Sequence, residues 1–177
     1  MPKGRVSLAV TAVGVVVAFG LVPYLVEGRS GSAVAAARAE SPSAEVARKE
    51  IEAFNAKFLE AHQRMDNAAI VGMWAEDGVS LLPETPPIAG RKAIAKFIDD
   101  VVKQMPGYHM RTMELTFQGT EVSGDWASEW ATEHQIVDPP PGKQVFEGYG
   151  KMLLVLHKES DGIWRLKREM WNQGVKP

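Results

Sequence analysis

The sequence predicts an α+β domain in which helices come first and strands follow, and three observations carry that prediction. Between Ala44 and Met105 apolar residues recur at gaps of three and four, the spacing of amphipathic helices. From Tyr108 onward the chain changes to long β-rich runs, broken by Gly119, by Asp138 to Gly142 and by Ser160 to Gly162. Helices followed by consecutive strands place the helices on one face of a curved antiparallel sheet.

The 177 residues, 45% of them hydrophobic, are enough for one well-buried core. Residues 1–39 read as targeting rather than fold. Lys3 and Arg5 precede an uncharged run from Val6 to Val26, and a Gly/Ser/Ala-rich stretch follows Glu27. That arrangement is a secretory signal, with Ala37-Arg38-Ala39 as a cleavage site, or, from its length, an uncleaved anchor. The basic flank stays inside, so either form delivers residues 40–177 across the membrane. A secreted or periplasmic location is expected, with residues 6–26 as the tether in the anchored case.

Ala47, Ile51, Phe54, Phe58, Ala61 and Met65 make the stripe of a first helix starting at Ala44, with Ser43 as its N-cap and Glu45 in its first turn. Asp66 caps a short second helix whose Ile70, Met73 and Trp74 share a face and which Asp77-Gly78 ends. Val79–Leu82 is a short strand, and Pro83 to Gly90 is a loop. Arg91–Met105 is the clearest helix, with an unbroken stripe through Ile94, Ile98 and Val101, stopped by Pro106-Gly107. Four strands follow: Tyr108–Gln118, Glu121–Val137, Gln144–Lys158 and Ile163–Gln173.

On the last strand, period-two alternation sends Trp164, Leu166, Arg168, Met170 and Asn172 toward the core. Ile163, Arg165, Lys167 and Glu169 then face water. A three-residue loop with Gly162 at positive φ pairs Leu156 with Leu166 and Met152 with Met170; a two-residue loop would exchange the faces. The three-residue register is expected. It sets Arg168 and Asn172 on an apolar surface with Gly150 opposite Asn172, and polar groups beside missing volume imply a pocket.

Several chemistries are excluded. A net charge of −2 gives no footprint for nucleic acid, and the absence of cysteine removes disulfides, thiol nucleophiles and cysteine-bound zinc. His62, His109 and His157 have no ligand-like spacing, so no metal site is read. Gly148-Tyr149-Gly150-Lys151 lacks the spacing of a phosphate loop, and no cofactor is expected.

The order of elements, with Asp66…Trp74-Ala-Glu-Asp77, Gly90-Arg-Lys-Ala-Ile94 and Asp161-Gly-Ile-Trp164…Trp171-Asn172, resembles the SnoaL-like branch of the nuclear transport factor 2-like superfamily over about Ala44 to Gly174. The resemblance implies a cone: a bent sheet wrapped around the helices, commonly dimeric through its outer face, where Trp126 and Trp171 would sit. Members include isomerases, cyclases, dehydratases, epoxide hydrolases and binding modules without activity, so fold does not fix function. The three acidic positions of ketosteroid isomerases fall on Phe58, Leu82 and Leu154, none of which can move a proton, and steroid isomerisation is not expected.

Aligned on Gly124-Asp125, the cone-lining set of the middle strand becomes Trp130, Thr132 and His134. With Phe58, Trp74, Met152, Leu154, Arg168 and Asn172 it implies an aromatic-walled ligand site. Arg168 requires a partner there, either Glu129, Glu133 or Glu147, or an anionic ligand group. The function expected is an exported, homodimeric small-molecule-binding domain. The rival from the enzyme class is a lyase, isomerase or hydrolase with His134 as acid–base and Arg168 steadying an anionic intermediate. A structural dimerisation module is the third reading.

Overall fold

Residues 42–177 are described by a computed structural model, and the targeting segment expected over residues 1–39 lies outside the described residues. Helices α1 (Pro42–Gln63), α2 (Asn67–Gly72) and α3 (Arg91–Lys103) accompany strands β1 (Trp74–Leu81), β2 (Ile88–Ala89), β3 (His109–Ser123), β4 (Trp126–Asp138), β5 (Phe146–Lys158) and β6 (Trp164–Gln173). The strands form one open, curved sheet in the order β2-β1-β6-β5-β4-β3. It is mixed rather than wholly antiparallel, because β1 runs parallel to β6. Among the described residues no helix is long and apolar enough to cross a membrane.

Most of the helical stripes read from the sequence are buried, although Met65 lies beyond the end of α1 and Val101 is only half-buried. Ala47, Ile51, Phe54, Phe58 and Ala61 of α1 meet Ile94 and Ile98 of α3 and Ala127, Ala131, Leu154, Leu156 and Leu166 of the sheet in one core. Helix α1 begins at Pro42, so Ser43 lies inside its first turn rather than capping it; a proline at the first helical position loses no hydrogen bond. Asp66 caps α2 as expected, its carboxylate accepting from the Ala69 N–H at 3.0 Å. Glu50 ties α1 to the last hairpin by accepting from Lys158 Nζ at 2.7 Å and Trp164 Nε1 at 2.8 Å.

Three irregularities bend the sheet and overturn parts of the strand reading. Asp77-Gly78 does not end a helix; it lies within β1, where the register against β6 shifts between Trp74 and Val79. Gly119 is not a turn but a bulge inside β3 at φ 61°, and the hairpin to β4 closes at Gly124-Asp125. The third lies in β6. Leu156 pairs with Leu166 and Gly162 has φ 78°, as the three-residue loop requires. The next pair, however, is Val155 with Arg168, so Lys167 is an inserted residue. A bulge reverses the alternation beyond it. Glu169 and Trp171 therefore turn inward, while Arg168, Met170 and Asn172 turn out.

Candidate functional site

The outward turn of β6 relocates much of the expected site. Arg168 is exposed and donates to the backbone carbonyls of Lys167 at 2.6 Å and Asp77 at 3.4 Å, not to Glu129, Glu133 or Glu147. Asn172 is exposed opposite Lys151, and Met152 pairs with Trp171 instead of Met170. The volume missing at Gly150 is filled by Trp171 of the same sheet: a β-carbon there would lie 2.5 Å from Trp171 Nε1.

The middle strand is inverted too. Ala127, Glu129, Ala131, Glu133, Gln135 and Val137 face the core, so Trp130, Thr132 and His134 lie on the outer side. Ala127 and Ala131 join α1 residues in the core, and Trp130 instead covers the bulge at Gly119. His134 stacks on Tyr149 with ring centroids 4.6 Å apart, and its nitrogens meet Glu114 at 3.2 Å and Glu147 at 3.1 Å. Those carboxylates, Glu114 first, raise its pKa and so favour its cationic form. Trp126 is on the outer face as expected, but Trp171 is buried. Phe58, Trp74 and Leu154 are interior, Leu154 packed in the core.

The structure brings a different set together. Two adjoining hollows lie between the helices and the sheet, sharing His62, Ile70 and Ile98 as a common wall. One, of about 40 Å³, is lined by Met65, Met105, Met110 and Met113, with Gln135 at its base. The other, of about 20 Å³, reaches Phe58, Trp74, Ser80 and Glu169. On this scale a water needs roughly 10–15 Å³, so the two together hold a handful of heavy atoms unless the methionines shift, which their flexible side chains permit. The expected aromatic-walled cavity is thus reduced to two small hollows, one lined by methionines and a smaller one that keeps Phe58 and Trp74 of the expected wall.

His62 sits one helical turn after Phe58, and its Nδ1 lies 2.7 Å from the Phe58 carbonyl. A carbonyl only accepts, so Nδ1 carries the proton and Nε2 keeps a free lone pair. Burial drives the ring pKa down to about 4, and the imidazole is neutral at physiological pH. Glu169 moves the other way. It accepts from Ser80 Oγ at 3.0 Å, and burial raises its pKa to about 7. Glu133 accepts from Trp171 Nε1 at 3.1 Å and Gln135 Nε2 at 2.6 Å; burial, with Glu169 nearby, raises it to about 8.

A further interior carboxyl, Glu129, accepts from Asn55 Nδ2 at 3.0 Å and Thr120 Oγ1 at 2.9 Å, and burial raises its pKa as well. Its Oε1 and Asn55 Oδ1 have no hydrogen-bond partner among the described residues. Sequence reasoning missed Ser80 and Glu169 as interior groups, named Glu129 and Glu133 only as partners for Arg168, and set His62 aside as a non-ligand. One available signal was Trp171: a large ring of that kind is a costly residue to leave in water.

Chemically, the smaller hollow offers a neutral imidazole acceptor, a hydroxyl and a carboxyl poised near neutrality, all against hydrocarbon. No group of three or more His, Asp or Glu suited to a metal ion occurs among the described residues.

Comparison with known proteins agrees with this architecture. A family model for the SnoaL-like domain matches residues 46–169. No functionally curated protein matches the chain significantly. A ketosteroid isomerase-like protein from Erwinia carotovora atroseptica superposes with TM-score 0.62 at 22% identity, over 73% of this chain and 96% of that one. A proposed dehydratase of the NTF2-like family from Streptomyces avermitilis gives TM-score 0.62 at 19% identity, over 76% and 100% of the two chains. A proposed scytalone dehydratase from Novosphingobium aromaticivorans gives 0.61 at 17%, over 75% and 87%. Likeness at these identities speaks for the fold alone. With the helices on the concave face of an open curved sheet and the family match spanning most of the described residues, the chain belongs to the SnoaL-like domain family of the NTF2-like fold.

Proposed function

We propose that the chain is an exported small-molecule-binding domain whose ligand occupies the paired hollows beneath α2 and α3. One observation carries the reading: His62, Ser80 and Glu169 face a space otherwise walled by hydrocarbon. Polar groups kept out of water at such a place need a reason, and a ligand's polar head supplies one. Native mass spectrometry of the full chain from its natural host tests it. A bound small molecule is expected, lost when Val101→Trp fills the larger hollow. An empty protein that no compound of a broad panel stabilises refutes the reading.

Export rests on residues 1–39, and cell fractionation checks it: accumulation in the cytosol would refute it. Homodimerisation is supported by a row of cross-strand neighbours on the outer face, Trp130, Leu153 and Met170. They remain 44%, 46% and 45% exposed, an apolar stripe that a second copy would cover. Light scattering is expected to show a dimer that Trp130→Glu splits; a wild-type monomer refutes it.

An enzyme of the lyase or isomerase class is the second reading. His62 and Glu169 line one hollow with pKa values driven in opposite directions, a base and an acid on the same substrate. It transfers the acid–base role expected of His134 to residues that are inside. Turnover of a β-hydroxy carbonyl panel, lost in Glu169→Gln, is the expected result; no turnover refutes it.

A further inference from the structure

With Glu169 ionised, the polar valences left unused around the smaller hollow are all acceptors. The Nδ1 proton of His62 is spent on the Phe58 carbonyl, so Nε2 presents a lone pair. The Ser80 hydroxyl proton is spent on Glu169, and the Ser80 oxygen keeps its own lone pairs. Glu169 has a second oxygen to which no described residue donates. Each of these side chains is more than nine-tenths buried: His62 is 6% exposed, Ser80 3% and Glu169 4%. Neither hollow is lined by a lysine or arginine among the described residues. Glu133 lies near Glu169 outside the hollow, and no described lysine or arginine lines the space that Glu169 faces.

We propose that this site binds a primary amine as its ammonium ion, with three N–H groups directed to the Glu169 carboxylate, Ser80 Oγ and His62 Nε2, and a short hydrocarbon body in the methionine-lined hollow. The proposal rests on the small-molecule reading above and names its ligand class. Number and sense of the hydrogen bonds match, since an ammonium has three donors and no acceptor. Size matches as well: about 20 Å³ takes one ammonium-sized group, and about 40 Å³ takes a short alkyl chain. Phe58 and Trp74 line the same space, and aromatic faces favour a cation over a neutral isostere. A carboxylate ligand would meet acceptors and the Glu169 carboxylate.

Binding is then linked to protons. Before the amine arrives, burial keeps the Glu169 carboxyl protonated up to about pH 7. The groups facing it are His62 from α1, Ser80 from β1 and Glu133 from β4; α2, α3 and β2 contribute hydrocarbon. An ammonium supplies the missing counter-charge, so at pH 6 the Glu169 proton leaves to solvent as the amine enters, and the amine keeps its own proton throughout. Near pH 8, where Glu169 is already ionised, little proton release remains.

The test uses the full chain with n-butylamine, 1-butanol and butyrate as probes, each titrated while the methyl resonances of Ile70, Ile94 and Ile98 are followed. The amine is expected to bind at least tenfold more tightly than the alcohol, with butyrate weakest. Glu169→Gln should erase the amine's advantage over the alcohol. Calorimetry at pH 6, in buffers of different ionisation enthalpy, should show about one proton released per amine, falling toward none at pH 8. Equal or tighter binding of butanol, an amine preference that survives Glu169→Gln, or no proton release at pH 6 would each overturn the ammonium assignment while sparing the hollow as a binding site. Failure of all three probes to shift these methyls would count against both.

Discussion

Raising the pH from 6.5 to 8.5 should destabilise this domain, and the size of the loss follows from two buried carboxyls. An ordinary glutamate titrates near 4.5, whereas Glu133 is pushed up to about 8 and Glu169 to about 7. A folded pKa above the unfolded one means stability that is full below 4.5 and lost as pH climbs through the folded value. Each pH unit over which the folded chain holds a proton that the unfolded chain has released lowers stability by about 1.4 kcal/mol. Over the chosen window Glu133 then costs about 2 kcal/mol and Glu169 under ~1, roughly 3 kcal/mol together. His62 offsets only about 0.4 kcal/mol of this, because it titrates at about 4 when folded and near 6.5 when unfolded, so only the last half of the unfolded chain's proton is lost inside the window.

Urea unfolding followed by tryptophan fluorescence at the two pH values measures the loss, and a melting temperature lower by roughly 10 °C should accompany it. Glu133→Gln isolates the cause. Its amide oxygen keeps the Trp171 N–H, and the Gln135 carboxamide turns over to accept from the new NH₂. That variant should retain about a third of the wild-type loss. A wild-type stability that holds level or rises over the window, or a variant that falls as steeply, refutes the assignment of protonated carboxyls inside the fold.

Histidine titration by NMR should separate two rings: His134 above its ordinary 6.5, and His62 only near 4. A His62 that titrates normally would place it in water. Gly150→Ala should cost about 1–3 kcal/mol, because the added methyl meets the Trp171 indole 2.5 Å away; a neutral effect in urea unfolding would show that Trp171 is free to move. Leu154→Ala, at a fully buried position, should cost about 2–5 kcal/mol by the same assay, and less than 1 would contradict its place in the core.

Much of the architecture was legible because it depends on local periodicity. The stripes of α1 and α3 bury most of the residues their spacing selects, Asp66 caps where its side chain can reach the Ala69 N–H, and Gly162 sets the last hairpin's loop. The candidate site was not legible, since it depends on parity, and parity in a strand is changed by a single extra residue. On β4 both faces alternate plausibly, Trp130 and His134 on one side and Ala131 and Glu133 on the other, so only packing in the assembled core selects the inward face.

By itself, then, the sequence determined the fold class, the helices and the register at the final turn; tertiary structure decided which side of β4 and β6 looks inward. The bulge at Lys167 exchanges a buried Arg168 for a buried Glu169 and covers Trp171 at the same time. Interior space without a counter-ion favours that exchange, because a carboxyl can take up a proton and become neutral, whereas a guanidinium cannot lose one.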